Sequence, residues 1–259
     1  MIFWGSTVRE LALKFATVVA LPFHLIPAAV RRAVMLLLFV IESRIGSSAA
    51  ALQRLFLLRD LLDRLISERA ITLGNGEHPK HYLMKYHDFF IKNIEDGETV
   101  LDIGCGYGAV SRSIARAHPN SLVIGVENNN RRFVQSQRFE AIENLRYIFG
   151  EAPDAVADVE GDVIVLSNVL EHIGDRINFL QRVNDMIKPN RFLIRVPYFQ
   201  RDWTVPFRKE IGMSYFNDPT HFIEHTADEF ESEMSAANLD ITSIEYVWGE
   251  IWAVVTERR

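Results

Sequence analysis

The turn Gly104-Cys105-Gly106-Tyr107-Gly108 constrains this chain more than any other stretch. It follows Thr99-Val100-Leu101-Asp102-Ile103, an apolar, β-branched run suited to a buried strand. It precedes Ala109 to Ala117, where apolar positions recur at helical spacing. Alternating glycines between a strand and a helix let the backbone take left-handed angles and come close to a ligand. In a sheet with helices on both faces, such a ligand lies outside the carboxyl ends of the strands, near the point where strand order reverses.

The alternation continues along the chain. Leu122 to Val126 reads as a strand closed by Glu127, Arg131 to Ile142 as a helix, Asp162 to Leu166 as a strand and Arg176 to Met186 as a helix. Phe192 to Val196 is a further strand after the turn Lys188-Pro189-Asn190. Two β-rich runs, Ile241 to Val247 and Ile251 to Thr256, flank Trp248-Gly249-Glu250. These features predict an α/β fold with a doubly wound, mostly parallel sheet and an antiparallel hairpin at one edge.

Glu127 stands 23 residues after Gly104, at the end of the next strand, where a carboxylate can accept hydrogen bonds from two ribose hydroxyls. The pairing points to an adenosine-containing cofactor. The spacing G-x-G-x-G departs from the G-x-G-x-x-G of dinucleotide sites, and Asp102 just before it would repel a pyrophosphate. A cofactor carrying a cationic sulfonium and an amino group suits the acidic residue better, which disfavours a nicotinamide-dependent oxidoreductase.

On these residues the sequence resembles the class I S-adenosylmethionine-dependent methyltransferases, of the small-molecule and glycan-modifying type, over roughly residues 80–256. Val100 to Gly108 is similar to the family's first motif, Gly125-Val126-Glu127 to its second and Asp162-Val163-Ile164 to its fourth-strand segment. Asn168-Val169-Leu170-Glu171-His172-Ile173 and Ile187-Lys188-Pro189 are similar to segments that follow. The resemblance implies a Rossmann-like seven-stranded sheet and S-adenosyl-L-methionine as cofactor. The loop Asp102, Gly104, Cys105, Gly106, Tyr107 and Gly108 would hold its methionine part, Glu127 its ribose and Glu151 its adenine amine. Asn128, Ala152 and Asn168 would complete the cofactor site. The family more often carries Asp at the place of Glu151, and often two glycines at Asn190-Arg191. Cys105 is expected to be part of a packed turn and not a nucleophile.

Acceptor recognition is expected from two segments over the carboxyl ends of the strands: an insert from Tyr198 to Phe230, and Glu77-His78-Pro79-Lys80-His81-Tyr82. Within them His81, Tyr198, Arg201, Trp203 and Tyr215 are the expected substrate-binding residues. Asn217-Asp218-Pro219-Thr220-His221-Phe222 resembles a segment of methyltransferases that modify sugars and surface glycans. Methyl transfer to a hydroxyl needs alignment and a base, for which His suits neutral pH. His221 is the expected base, oriented by Asp218, with His172 or His225 as reserves. No metal is expected, because Asp218, His221 and His225 form no tight ligand motif.

Composition completes the expectation. A single Cys excludes an intrachain disulfide and makes a reducing, cytoplasmic setting the default. The net charge of −6 argues against nucleic acid as a partner. Residues 1–72 carry nine Lys and Arg against five Asp and Glu, a balance of +4, which leaves −10 for residues 73–259. Leu52, Leu55, Phe56, Leu58, Leu61, Leu62, Leu65 and Ile66 recur at helical spacing, and the apolar runs upstream are interrupted by Pro22, Pro27 and Arg31-Arg32. Neither upstream run reaches the roughly 18–20 residues of a membrane span, and a signal peptide fits poorly at Arg9-Glu10. Residues 1–76 are therefore expected to form a helical extension and residues 77–259 the methyltransferase domain. The extension reads as a homo-oligomerisation arm, a peripheral helix at the inner membrane face, or a cap on the main domain. The expected activity is O-methylation of a small molecule or glycan. The alternative is an inactive cofactor-binding scaffold assembled through the helices.

Overall fold

A computed structural model describes residues 15–74, 78–139 and 141–258. Arg9-Glu10 lies outside the described residues, as do Asn75, Gly76 and Glu77 at the expected junction. The chain divides into two compact units, Met1–Gly76 and Glu77–Arg259.

The first unit is helical. After a short turn at Leu21–Leu25, helices α1 (Ala28–Arg44) and α2 (Ser48–Leu73) pack against each other. Ser47 caps α2 by accepting the Ala50 amide at 3.2 Å. Arg54 on α2 reaches back to the Glu42 carboxylate at 2.7 Å and to the Glu42 carbonyl at 2.8 Å, closing the corner between the helices.

The second unit opens with two short helices, α3 (Lys80–Met84) and α4 (Tyr86–Lys92). The sheet follows: β1 (Thr99–Ile103), α5 (Ala109–Ala117), β2 (Leu122–Glu127), α6 (Asn130–Ser136), β3 (Leu145–Phe149), β4 (Val163–Ser167), α7 (Arg176–Ile187), β5 (Arg191–Pro197), α8 (Thr204–Glu210), α9 (Ala227–Ala236), β6 (Leu239–Val247) and β7 (Glu250–Glu257). The seven strands lie in the order β3-β2-β1-β4-β5-β7-β6. The first five are mutually parallel, and β7 runs antiparallel to both β5 and β6. This is the doubly wound, mostly parallel sheet expected from the alternation of elements.

The continuous apolar runs of the central strands are explained by cover on both faces. Successive residues point to opposite sides. Leu101, Ile124, Ile164, Leu166 and Phe192 pack with Leu180 and Val183 of α7 and Phe230 and Met234 of α9. Val100, Val123, Val163, Val165 and Leu193 pack with Phe89 and Phe90 of α4, Val110 and Ile114 of α5, and Trp252. The hairpin β6–β7 turns at Trp248 and Gly249, whose φ values of 54° and 75° form the two-residue turn that matches strand twist.

Two expectations are corrected. The helix expected over Arg131 to Ile142 ends at Ser136, because the chain must cross to the edge strand β3, which the sequence reading missed. The insert expected to run to Phe230 gives way at Thr226, which with Glu229 forms a reciprocal capping box that starts α9.

Candidate active site

Strand order reverses between β1 and β4, and the loop Gly104 to Gly108 lies at the carboxyl end of β1. The Gly104 and Cys105 amides both donate to the Val126 carbonyl, at 2.8 and 3.1 Å, which folds the loop over β2. Glu127, 3% exposed, fixes it from the side: one carboxylate oxygen accepts the Gly106 amide and the other the Asn129 amide, each at 2.8 Å. Gly108 has φ of 74°, and a Cβ there would sit 2.1 Å from the Tyr147 hydroxyl oxygen. That glycine therefore makes room for the ring packed beneath the loop.

Asp102, Gly104, Cys105, Gly106 and Tyr107 line an open cleft with Lys80, His81, Tyr86, Arg132, Ser167, Asn168 and Arg195. Burial pushes the Asp102 carboxyl up to about 7 against the opposing hydrogen bonds from Ser111, whose hydroxyl donates to it at 2.5 Å. Burial and the neighbouring Asp102 and Glu127 charges push the Cys105 thiol up, so it is no thiolate nucleophile. Asn168 has φ of 57°, and its side-chain oxygen is buried without a hydrogen-bond partner. Arg195 lies over the Tyr86 ring at 3.9 Å and is held by both oxygens of Glu250. Asn128 and Glu151 are exposed beyond β2 and β3, and Ala152 packs against the core.

A second group of ionisable residues is built by the segment after β4 and the loop before α9. The Phe222 amide donates to the Glu171 carbonyl at 2.8 Å, which brings His221 beside the short turn Leu170–His172. The His172 and His221 rings meet edge to face at 4.7 Å between centroids. Burial and the His221 charge lower the pKa of His172. Glu171 is fully buried with no hydrogen-bond partner for either oxygen, and burial pushes its carboxyl up to about 7. Sequence reasoning alone assigns Glu171 no role beyond its place in the segment Asn168 to Ile173. The available signal was a lone acid in the apolar run Val169-Leu170-Glu171-His172-Ile173 at a strand's carboxyl end.

The expected orienting and reserve residues are redistributed. Asp218 does not orient His221 through its carboxylate, which accepts the Thr220 amide at 2.8 Å and hydroxyl at 2.6 Å. Glu224 faces His221 instead, with Oε1 3.5 Å from Nδ1. Burial would raise the Glu224 carboxyl, but His221, Arg201 and the Asn217 amide outweigh it and hold it below the usual range. His225 is not available as a reserve base: it is fully buried, with Nε2 2.9 Å from Glu233. His225 and Arg176 hold the Glu233 carboxyl at about 2 in spite of its burial.

Arg201 is corrected as a substrate residue, because its guanidinium is consumed by Glu224, the Tyr198 carbonyl at 3.0 Å and Asn217 at 2.9 Å. Tyr198 packs on Tyr246, and Tyr215 stacks between Phe199 and Phe216. Trp203 is exposed beside Phe207. Of the five expected substrate residues only His81, bonded to the Tyr86 hydroxyl at 2.8 Å, lines the cleft.

A seven-stranded sheet in this order, with a glycine loop after β1 and a carboxylate after β2, defines the class I S-adenosylmethionine-dependent methyltransferases. The profile of a family described as a methyltransferase domain matches residues 76–244, and the chain belongs to that family. It is 31% identical over 157 residues to a ubiquinone biosynthesis O-methyltransferase of Azorhizobium caulinodans, covering 57% of this chain and 61% of that one. It is 30% identical over 100 residues to N-methyltransferase 4 of Papaver somniferum, covering 37% and 28%. The chain thus spans 61% and 28% of these relatives' lengths. A solved SAM-dependent methyltransferase from Aquifex aeolicus shares the fold with a TM-score of 0.54 at 12% identity, covering 71% of this chain and 96% of that one.

The cleft fits the family's cofactor. No atom lies within 4 Å of the place a Cβ would take on Gly106, so the backbone there is open to close approach. Asp102 offers an acid to a cationic ligand, and the Asn168 oxygen awaits a donor.

Proposed function

We propose that this chain is an S-adenosylmethionine-dependent O-methyltransferase acting on a small hydroxyl-bearing molecule or glycan, whose hydroxyl is activated at Glu171, His172 and His221. One observation carries this reading: an ionisable cluster stands at the carboxyl end of β4, three residues beyond Asn168 on the wall of the cofactor cleft. The printed name of the Azorhizobium relative, an O-methyltransferase, supports it. When bound, S-adenosylmethionine supplies an electrophilic methyl group on a sulfonium centre.

In this reading Gly104, Gly106 and Gly108 let the backbone meet the methionine part, with Cys105 and Tyr107 shaping the loop. Asp102 faces its ammonium group, Glu127 holds the ribose, and Asn128, Glu151, Ala152 and Asn168 enclose the remainder. His81, Trp203 and Tyr215 stand on the acceptor side. The test is transfer of radiolabelled methyl from S-adenosylmethionine to phenols, sugars and amines. Labelled phenols or sugars support O-methylation, and labelled amines alone overturn it.

Asp102 gives this reading a pH dependence. Its carboxyl titrates at about 7 in the free protein. A cationic ammonium beside it favours the carboxylate, so binding releases a proton and affinity rises as pH increases through 7. Calorimetry of S-adenosylhomocysteine at pH 6 and pH 8 is expected to show tighter binding at pH 8, with the difference removed in Asp102→Asn. Equal affinities in the unmodified chain contradict the assignment.

The N-terminal unit is read as a peripheral membrane arm. The eight successive residues Val34 to Ile41 are apolar and between 39% and 63% exposed, so α1 has no single solvated face. A lipid interface can take that band while Arg31, Arg32 and Arg44 stay at headgroup level. No helix among the described residues is long and apolar enough to cross a membrane. Co-sedimentation with anionic vesicles is expected, and its loss in Leu36→Ser/Leu37→Ser. A chain that ignores vesicles and forms an oligomer lost in the same variant would instead make the unit an assembly arm.

A further inference from the structure

We infer that Glu171, His172 and His221 form a binding site for a divalent transition-metal cation. One ligand atom from each residue lies within 4.8 Å of the other two. Bonds of about 2.1 Å to a common ion set ligand atoms roughly 3.4 Å apart, so binding draws the three groups closer together.

Three observations point to a cation there. Glu171 is fully buried, and both of its carboxylate oxygens lack a hydrogen-bond partner. Buried carboxylates are ordinarily paired or coordinate a metal. The nearby Arg195 does not supply the pairing, because Glu250 engages it through both oxygens.

The second observation concerns the imidazoles. The Thr220 hydroxyl donates to Asp218 at 2.6 Å and so accepts at 2.9 Å from His172 Nδ1, which must carry the hydrogen. His221 Nδ1 is buried without a hydrogen-bond partner, 3.5 Å from Glu224 Oε1. The His172 ring thereby keeps its Nε2 lone pair for a ligand bond, and the His221 ring has a nitrogen to spare for one. Carboxylates behind metal-binding histidines fix ring tautomer and orientation in the same way.

The third is the tether: the Phe222 amide, bonded to the Glu171 carbonyl at 2.8 Å, ties the two ligand-bearing segments together. Two imidazole nitrogens suit zinc and ferrous iron, and the carboxylate suits manganese as well, whereas magnesium and calcium favour all-oxygen sites. Three protein ligands also leave coordination positions open. In the O-methyltransferase reading those positions would take the acceptor oxygen and lower its pKa. That consequence rests on the reading above, while the cation site does not and is tested with no acceptor present.

The experiment titrates the chelator-treated full chain with Mn2+ alone, read by the loss of the free-ion paramagnetic signal, and with Zn2+ alone, read by calorimetry. One ion per chain is expected. Glu171→Gln, His172→Ala and His221→Ala should each weaken binding by at least about tenfold, with the affinity for S-adenosylhomocysteine unchanged. His172 is exposed, so its replacement tests the site even where Glu171→Gln disturbs the core. A chain that binds neither ion, or whose binding is unchanged in the folded His172→Ala and His221→Ala variants, overturns the inference.

Discussion

Glu127→Ala is expected to weaken binding of S-adenosylhomocysteine by about 10²–10⁴-fold. The carboxylate accepts the Gly106 and Asn129 amides at 2.8 Å each, one on each oxygen, and each oxygen retains a lone pair for a ribose hydroxyl. Two hydrogen bonds to a charged acceptor are worth roughly 1.5–3 kcal/mol each, and about 1.4 kcal/mol is tenfold in affinity. The same change frees the Gly106 amide, so the loop also loses its lateral anchor. Glu127→Gln should fall between the two, because a side-chain amide keeps one acceptor oxygen and presents its NH2 to a backbone donor. Calorimetry on the three proteins checks the order, and an alanine variant within about threefold of the parent would remove Glu127 from the cofactor site.

The second large effect falls on turnover. His221→Ala should lower kcat by about 10²–10⁴-fold, the loss expected when activation of the reacting hydroxyl is removed, while leaving S-adenosylhomocysteine affinity unchanged. His221 stands beside Glu224, His172 and Glu171, the cluster proposed to activate the acceptor hydroxyl. Glu224→Gln should cost less, since the ring stays in place and loses only its charged partner. Steady-state rates with any acceptor found in the labelling screen measure both. An alanine variant that turns over at the parent rate would place hydroxyl activation elsewhere.

The parts of this fold that were legible in the sequence are those where one physical requirement dominates. β1, β4 and β5 are covered on both faces, so their apolar runs are continuous and easy to recognise. The glycine loop must take left-handed angles, and that leaves a spacing. β3 was not legible: Leu145-Arg146-Tyr147-Ile148-Phe149 is an edge strand with half-exposed positions. The helical spacing of Phe139 and Ile142 also carried the preceding helix too far.

At the candidate acceptor side the sequence offers residue types and not their directions. His221 and His225 stand four residues apart, yet the bridge between Tyr198 and His225 draws His225 inward to Glu233. The tether of Phe222 to Glu171 presents His221 beside the cluster. Arg201, expected among the substrate-binding residues, is spent on holding the insert together. No local pattern shows which partner across the chain a side chain will meet, and Glu171 acquires its character only from being buried between those segments.

The central claim is that the cleft between Asp102, the glycine loop and Asn168 is an S-adenosylmethionine site. Calorimetric titration of the purified chain with S-adenosylhomocysteine and, separately, with NAD tests it most directly. One equivalent of S-adenosylhomocysteine with no heat from NAD is the predicted result. Binding of NAD in its place, or no binding of S-adenosylhomocysteine by the folded chain, would contradict the account.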